Sequence, residues 1–218
     1  MDGLLSVANH ARATLPLDTL AALTVISLAP FLLVMCTSFV RIIVVLSLVR
    51  SAIGAAALPP NTVLTGLALV LTLVIMSPTL TRISNRAVQP YSKGRISQSE
   101  FVNRAGGTLR EFMLRQTRVS DVDLFERVAH DAPQPAAKAP MLVLIPAFVV
   151  GELRDAFAIG LALYLPFVAI DLAVASILMG LGMFMLSPPV ISLPAKLLLF
   201  VMVDGWALVC AGVVSSFR

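Results

Sequence analysis

Charge is the scarcest feature of this sequence. Asp, Glu, Lys and Arg make up 13% of its 218 residues, and 58% of the residues are hydrophobic, whereas a soluble globular domain has about 25% charged residues. The mean hydropathy is +0.94. This composition excludes an ordinary soluble enzyme and any disordered or fibrous protein. It predicts helices that face lipid or other apolar helices over most of their surface.

Residue types that build catalytic and metal sites are also few. The chain has two cysteines and two histidines. Cys36 and Cys210 lie in apolar runs, which excludes a disulfide scaffold and indicates small buried side chains. His10 and His130 lie in separate polar segments, so no metal site is expected. The sequence contains no Walker loop, dinucleotide fingerprint, CxxC, HExxH or GxSxG motif, and we therefore predict no enzymatic activity and no cofactor.

The charged residues divide the chain into parts. Residues 82–138 hold ten Lys and Arg and six Asp and Glu. We predict an N-terminal segment at 1–18, a first apolar helical hairpin at 19–81, a polar helical domain with its linker at 82–140, and a second apolar helical hairpin at 141–218. The fold class is all-α. No aromatic residues interleave with the basic ones in the polar part, so no nucleic-acid partner is expected.

Prolines mark the turns of both hairpins. Residues 19–40 are uncharged and would form a helix of about 33 Å, which is enough to cross a bilayer core of about 30 Å. Pro59 and Pro60 end this apolar pattern, and a second helix is predicted at about 62–80. In the second hairpin, Pro188 and Pro189 close a turn that begins at Gly180. Three further prolines should kink or break its helices: Pro146, Pro166 and Pro194.

The polar part has helix signals of its own. Ser97 and Glu100 form a capping box, and apolar residues follow at spacings of three and four. Ser120 and Asp121 resemble a second helix cap. Residues 131–140 are rich in alanine and proline and are typical of a linker.

A few ionisable residues interrupt the apolar hairpins, where an unpaired charge is costly. Asp171 and Lys196 lie at equal distances from the second turn, so they are predicted to pair within one chain or between copies. Such a pair would fix the register of the helices, or it would line a polar path or proton relay. Arg41 has no acid at the mirrored height of its own hairpin, so it either snorkels or finds an acid on another chain. The same set of predicted ion-pairing residues includes Glu152, Arg154 and Asp204.

Methionines cluster at the second turn. Met179, Met183 and Met185 lie there together with Phe184. Thioether side chains are flexible and adapt to changing neighbours. If several copies surrounded an axis, these residues would make a soft apolar ring that excludes water from a pore and yields to a passing chain.

Short segments along the chain resemble the FliP/SctR family, which supplies the major core subunit of the export gate in flagellar and virulence type III secretion. The resemblance covers about residues 20–217, in order and at matching spacing. The segments that carry it are LPPN (58–61), GLAL (66–69), MSP (76–78), REFM (110–113), QTR (116–118), IPAF (145–148), IDL (170–172), AS (175–176), MFM (183–185), ISLP (191–194), KL (196–197) and VDGW (203–206).

The resemblance implies a homo-oligomer that assembles with small Q/S-type and R/T-type subunits, and with further export-apparatus membrane proteins, into a helical, conical complex. Unfolded secreted proteins pass through its axis. The methionine-rich loop, here Met183, Phe184 and Met185, forms a gasket at the constriction. The family usually has methionine at the middle position, and Phe184 seals against water but is stiffer.

The resemblance also implies a place in the bacterial inner membrane, within the basal body, with the polar domain on the periplasmic side. The ten Lys and Arg of that domain would suggest the cytoplasm, but a segment of this length is weakly governed by the positive-inside rule. No secretory signal peptide is convincing, which favours the virulence branch. The QTR segment and the size of the polar domain favour the flagellar branch, which we prefer. A small ion-coupled transporter with Asp171, Lys196 and Glu152 as its relay is a further alternative.

Overall fold

The computed structural model describes residues 33–54, 58–129 and 135–217, together with Ser27, Pro30 and Phe31. All regular structure in these residues is helical, so the predicted all-α class is confirmed. The N-terminal segment 1–18, His10 and His130 lie outside the described residues. The elements are α1 (Phe39–Ile53), α2 (Asn61–Ile83), a π-helical stretch (Ser84–Val88), α3 (Gln89–Ser92), α4 (Gln98–Gln116), α5 (Val119–Val128), a 3-10 turn (Ala136–Lys138), α6 (Met141–Gly180), α7 (Pro188–Met202) and α8 (Gly205–Ser215).

The first hairpin consists of α1 and α2. The predicted uninterrupted helix over 19–40 is wrong at residues 36–38, where a turn separates helical residues 33–35 from α1. The hydroxyl of Thr37 donates to the carbonyl of Leu33 and accepts from the amide of Phe39, so a side chain competes with the helical backbone bonds. α1 ends at Ile53, and the following residue, Gly54, has a φ of 81°, a value that favours glycine.

The polar part is an extension of α2 followed by two helices. The apolar helix continues through the π-helical stretch to Ser92, so the boundary drawn at residue 82 falls inside a continuous helix. The Ser97 hydroxyl accepts the amide of Glu100 at 3.3 Å, and the predicted cap of α4 is confirmed. The cap predicted at Ser120 and Asp121 is wrong. α5 begins at Val119, and extended backbone at Arg118 precedes it.

The helices of the second hairpin continue through positions where breaks were considered, and the hairpin breaks elsewhere. α6 continues through Pro146 and Pro166, and α7 continues through Pro194. Ala147 and Phe148, which follow Pro146, and Phe167, which follows Pro166, are buried, so tertiary packing offsets the lost hydrogen bonds. The break lies instead after α7, where Asp204 has a φ of 49° and α8 departs at 64°.

Packing explains that bend. The ring of Phe200 lies so close to Gly205 that a Cβ there would come within 2.3 Å of it. The same ring packs edge-on against Trp206, with 5.2 Å between ring centres. If the helix continued through Asp204, Phe200 and Trp206 would be displaced from each other along a single helix axis. Their rings would then not come into contact.

The most buried helix is α1, which packs against both α2 and α6. Ile42, Val45 and Leu46 are fully enclosed. The outer faces of α2, α6 and α7 remain apolar and exposed. Among the described residues, Asn61–Ser92 and Met141–Gly180 are long and apolar enough to cross a membrane, and α7 with α8 would add a third span if the bent pair crosses as one.

Candidate functional site

The turn of the second hairpin forms an exposed tip. α6 ends at Gly180, Gly182 takes a φ of 73°, and α7 begins with Pro188 and Pro189 in its first turn. Proline suits this place because the first amides of a helix have no intrahelical partner. The predicted turn at 180–189 is therefore shorter, because Gly180 belongs to α6 and the two prolines belong to α7.

Four apolar side chains crowd this tip with little support from the rest of the chain. The side chain of Met185 is 100% exposed, and that of Phe184 is 78% exposed. Met179 and Met183 are exposed as well. We call these four residues the apolar tip. A cluster of this kind in water is costly and marks a surface that meets another molecule or lies in an apolar setting.

Below the tip, Asp171 of α6 and Lys196 of α7 lie level and join the two arms. Lys196 Nζ is 2.6 Å from Asp171 Oδ2, and the Ser192 hydroxyl also donates to Asp171. Lys196 is buried and reaches the carbonyl of Ala52 at 3.4 Å. Of the two pairings left open by the sequence, the chain forms the one within itself. The pair also ties the second hairpin to the end of α1.

Arg41 of α1 lies at the centre of a second group of charges. Its Nε and Nη2 donate to the two oxygens of Glu152 at 2.9 and 2.6 Å, and Nη2 is 3.2 Å from Asp155. Its Nη1 donates to the carbonyl of Ser216 at 3.1 Å, and the guanidinium lies 4.0 Å from the centre of the Phe217 ring. The expectation that Arg41 snorkels or needs an acid from another chain is wrong, because the second hairpin of its own chain supplies one.

The same group reaches into the polar part. Arg154 Nη1 and Nη2 donate to the two oxygens of Asp121 at 2.8 and 2.7 Å, and Arg118 Nη2 donates to Asp155 at 3.0 Å. Asp121 is buried on α5. We call the whole group the charged junction: Arg41, Arg118, Asp121, Glu152, Arg154 and Asp155.

The charged junction corrects two sequence-based expectations. Glu152 and Arg154 were expected to pair inside their hairpin or between subunits, but each pairs with another part of its own chain. Asp121, Arg118 and Asp155 were not predicted as members. One feature of the sequence could have indicated them. Three charged residues, Glu152, Arg154 and Asp155, lie close together inside an apolar helix, and buried charges require counter-charges from neighbouring elements.

Asp204 behaves differently from the other predicted charges. It is exposed, and no cation pairs with it in the part of the chain that the structure describes. Its carbonyl accepts the amide of Leu208 at 3.1 Å. Its left-handed backbone is what places it at the bend.

At the first turn, Pro59 supplies a carbonyl to Arg50 at 3.3 Å, and Pro60 precedes the first residue of α2.

The arrangement does not favour an ion relay that includes both Glu152 and Asp171. Glu152 and Asp171 lie 19 positions apart on α6, a distance of about 28 Å along a helix. The two groups of charges are therefore separate. Among the described residues, no three His, Cys, Asp or Glu side chains come together in a way that could hold a metal ion.

Comparison with known proteins gives a consistent result. The FliP family matches residues 22–213. A protein of Pectobacterium carotovorum named flagellar biosynthetic protein FliP is 50% identical over 94% of this chain and 80% of its own length. Proteins of the same name from Caulobacter vibrioides and Bacillus subtilis are 48% and 45% identical, over 90% and 91% of this chain and 74% and 90% of their own lengths.

Proposed function

Because the chain belongs to the FliP family, we propose that it is a channel-forming core subunit of the bacterial flagellar protein-export gate. It passes unfolded flagellar proteins across the inner membrane. It belongs to the basal body, and its polar domain lies on the periplasmic side. The names of its relatives, flagellar biosynthetic protein FliP, favour the flagellar branch over the virulence branch.

The apolar tip is the observation that carries this proposal. Its side chains project from a hairpin whose two arms are joined by the contacts of Lys196 and Ser192 with Asp171, and Met185 contacts almost nothing in its own chain. Copies arranged around an axis would bring such tips together as an apolar ring. A ring of this kind excludes water, and its flexible thioethers yield to a chain of varying side-chain size.

The exposed apolar faces support assembly with further subunits. Val70 and Leu73 of α2, Leu161 and Leu172 of α6, and Val201 of α7 are each more than half exposed. A chain with such faces on three helices needs other apolar surfaces or lipid around it. We assign them to contacts with further copies of this chain, with the small Q/S-type and R/T-type subunits and with other membrane proteins of the export apparatus.

The proposed role is not enzymatic. The charged junction and the Asp171–Lys196 pair are engaged in ion pairs, and the apolar tip consists of methionine and phenylalanine side chains, which do not transfer protons. The energy for export therefore has to come from other components, and this chain contributes a gated passage.

The test is the native mass of the detergent-purified chain, expressed alone and together with the small Q/S-type and R/T-type subunits. A discrete complex of several copies that takes up both partners is expected. A stable monomer or dimer that ignores them would contradict the proposed role and would make the transporter the better hypothesis.

A further inference from the structure

A groove of about 380 Å³ lies where the apolar helix α2 meets the polar domain. α2 forms one wall, the last turn of α4 forms another, and the C-terminal residues Val214 and Phe217 form the third. Its volume lies within the range of about 300–1,000 Å³ that small-molecule sites occupy. None of the residues that line the groove belongs to the apolar tip or to the charged junction.

The groove has a cationic end. Arg82 in the last turn of α2 and Arg115 in the last turn of α4 both line it. Arg82 makes only a long contact with Glu111, with 3.9 Å between Nη1 and Oε2. The same carboxylate has a closer partner in Arg86, at 3.1 Å. Within the described residues, Arg115 forms neither an ion pair nor a side-chain hydrogen bond. Two guanidinium groups therefore face one opening with little anionic charge to balance them.

The rest of the groove is apolar. Ile75 and Pro78 line it about two turns and one turn before Arg82 on α2, and Val214 also lines it. From Ile75 to Arg82, the helix rises about 10 Å. Val74, on the same wall, is 58% exposed, so the groove opens along a helix that is apolar enough to lie in a membrane.

We propose that this groove binds an anionic phospholipid, with the phosphate held by Arg82 and Arg115 and the upper part of an acyl chain lying along Ile75, Pro78 and Val214. Guanidinium groups bind phosphate through paired, charge-assisted hydrogen bonds. Basic pockets beside apolar helices, at the height where these helices leave the hydrocarbon, suit lipid headgroups. An acidic peptide would use the two arginines but would leave the apolar wall uncovered, so the lipid fits both ends.

The experiment is native mass spectrometry of the full chain in a neutral detergent, titrated with phosphatidylglycerol or with phosphatidylcholine of the same acyl chains. We expect preferential binding of phosphatidylglycerol. The variant Arg82→Gln/Arg115→Gln should bind it about a hundredfold more weakly, since two charge-assisted contacts are lost. Arg95→Gln is the matched control, because Arg95 is an exposed arginine of the same domain outside the groove, and it should bind as the unaltered chain does.

Two further arms separate the possible sources of the anion. Glycerol 3-phosphate offers the same phosphate without a chain and should not compete. Val214→Trp fills the apolar wall and should weaken phosphatidylglycerol binding while both arginines remain. Thermal unfolding of each variant checks that it is folded, and the arginine variant is the safer test because it changes only partly or fully exposed side chains.

Several results would overturn the proposal. Equal binding of the two lipids would remove the headgroup assignment, and full competition by glycerol 3-phosphate would indicate a site for free phosphate. Unchanged lipid binding in the double arginine variant would exclude these residues. A change in the number of assembled copies in that variant, without a change in lipid binding, would assign the groove to a contact between subunits.

Discussion

Arg41 and Glu152 join the two apolar hairpins through two parallel hydrogen bonds of 2.9 and 2.6 Å. Both side chains are almost fully buried, with 2% and 1% of their surfaces exposed. They lie 111 positions apart in the sequence, so the pair closes the whole polar domain into a loop between them. Two charges removed from water are tolerated here because each satisfies the other in a bidentate arrangement.

Glu152→Gln should destabilise the chain by roughly 3 kcal/mol, because removal of one member of a buried pair leaves the other charge without full compensation. Asp155 at 3.2 Å offsets part of the loss. The measurement is the unfolding midpoint in detergent. Glu100→Gln is the control, since Glu100 pairs with Arg104 on an exposed helix face, where a pair contributes about 0.5 kcal/mol or less.

The double variant Arg41→Met/Glu152→Met should recover most of the lost stability, because two apolar side chains of similar length need no counter-charge. Equal midpoints for Glu152→Gln and Glu100→Gln would show that the buried pair contributes no more than a surface pair.

Asp171→Ala should lower the yield of assembled complex and impair swimming. The substitution leaves the buried ammonium of Lys196 with the Ala52 carbonyl at 3.4 Å as its remaining described partner. Complex yield is measured by native gel electrophoresis, and export by motility in soft agar. Asp123→Ala removes a carboxylate that has no ion-pair partner among the described residues and should change neither. Normal yield and normal motility for Asp171→Ala would exclude a role for the pair.

Gly160→Ala should destabilise the packing of α1 on α6. A Cβ at Gly160 would come within 2.3 Å of the side chain of Leu48, and overpacking of this kind costs about 1–3 kcal/mol. Gly66→Ala is the control, because a Cβ there meets nothing within 4 Å and the change favours the helix by about 0.5–1 kcal/mol. Unfolding midpoints should therefore move in opposite directions. Equal shifts would mean that Leu48 moves aside without cost.

Met183→Ala/Met185→Ala should raise ion leakage through the assembled complex, because truncation opens the ring that we place at the constriction. The measurement is dye-reported ion flux into vesicles that contain the complex. Met202→Ala is the control, since Met202 is also exposed but lies at the far end of α7. Phe184→Met should keep the seal. Unchanged leakage in a complex of normal mass would exclude the gasket.

Several helices, turns and helix starts could be predicted from the sequence because they depend on composition and local signals. The charge-poor runs predicted helices, the prolines at 59–60 and 188–189 predicted turns, and Ser97 with Glu100 predicted a helix start. The spacing of Asp171 and Lys196 from a common turn predicted that they lie level. In each case the residues involved belong to one helix or one hairpin, so their geometry follows from the helical rise.

Local patterns failed where distant residues compete with them. Pro146 and Pro166 do not end α6, because its neighbours α1 and α7 hold the helix together, whereas the ring of Phe200 against Gly205 and Trp206 enforces a bend that no proline marks. The partners of Arg41 and Arg154 were assigned to the wrong places for the same reason. The sequence by itself determined that these charges need counter-charges in an apolar chain. Only the tertiary structure decided which ones, because the packing of α1 and α5 on α6 brings Glu152 and Asp121 within hydrogen-bonding distance.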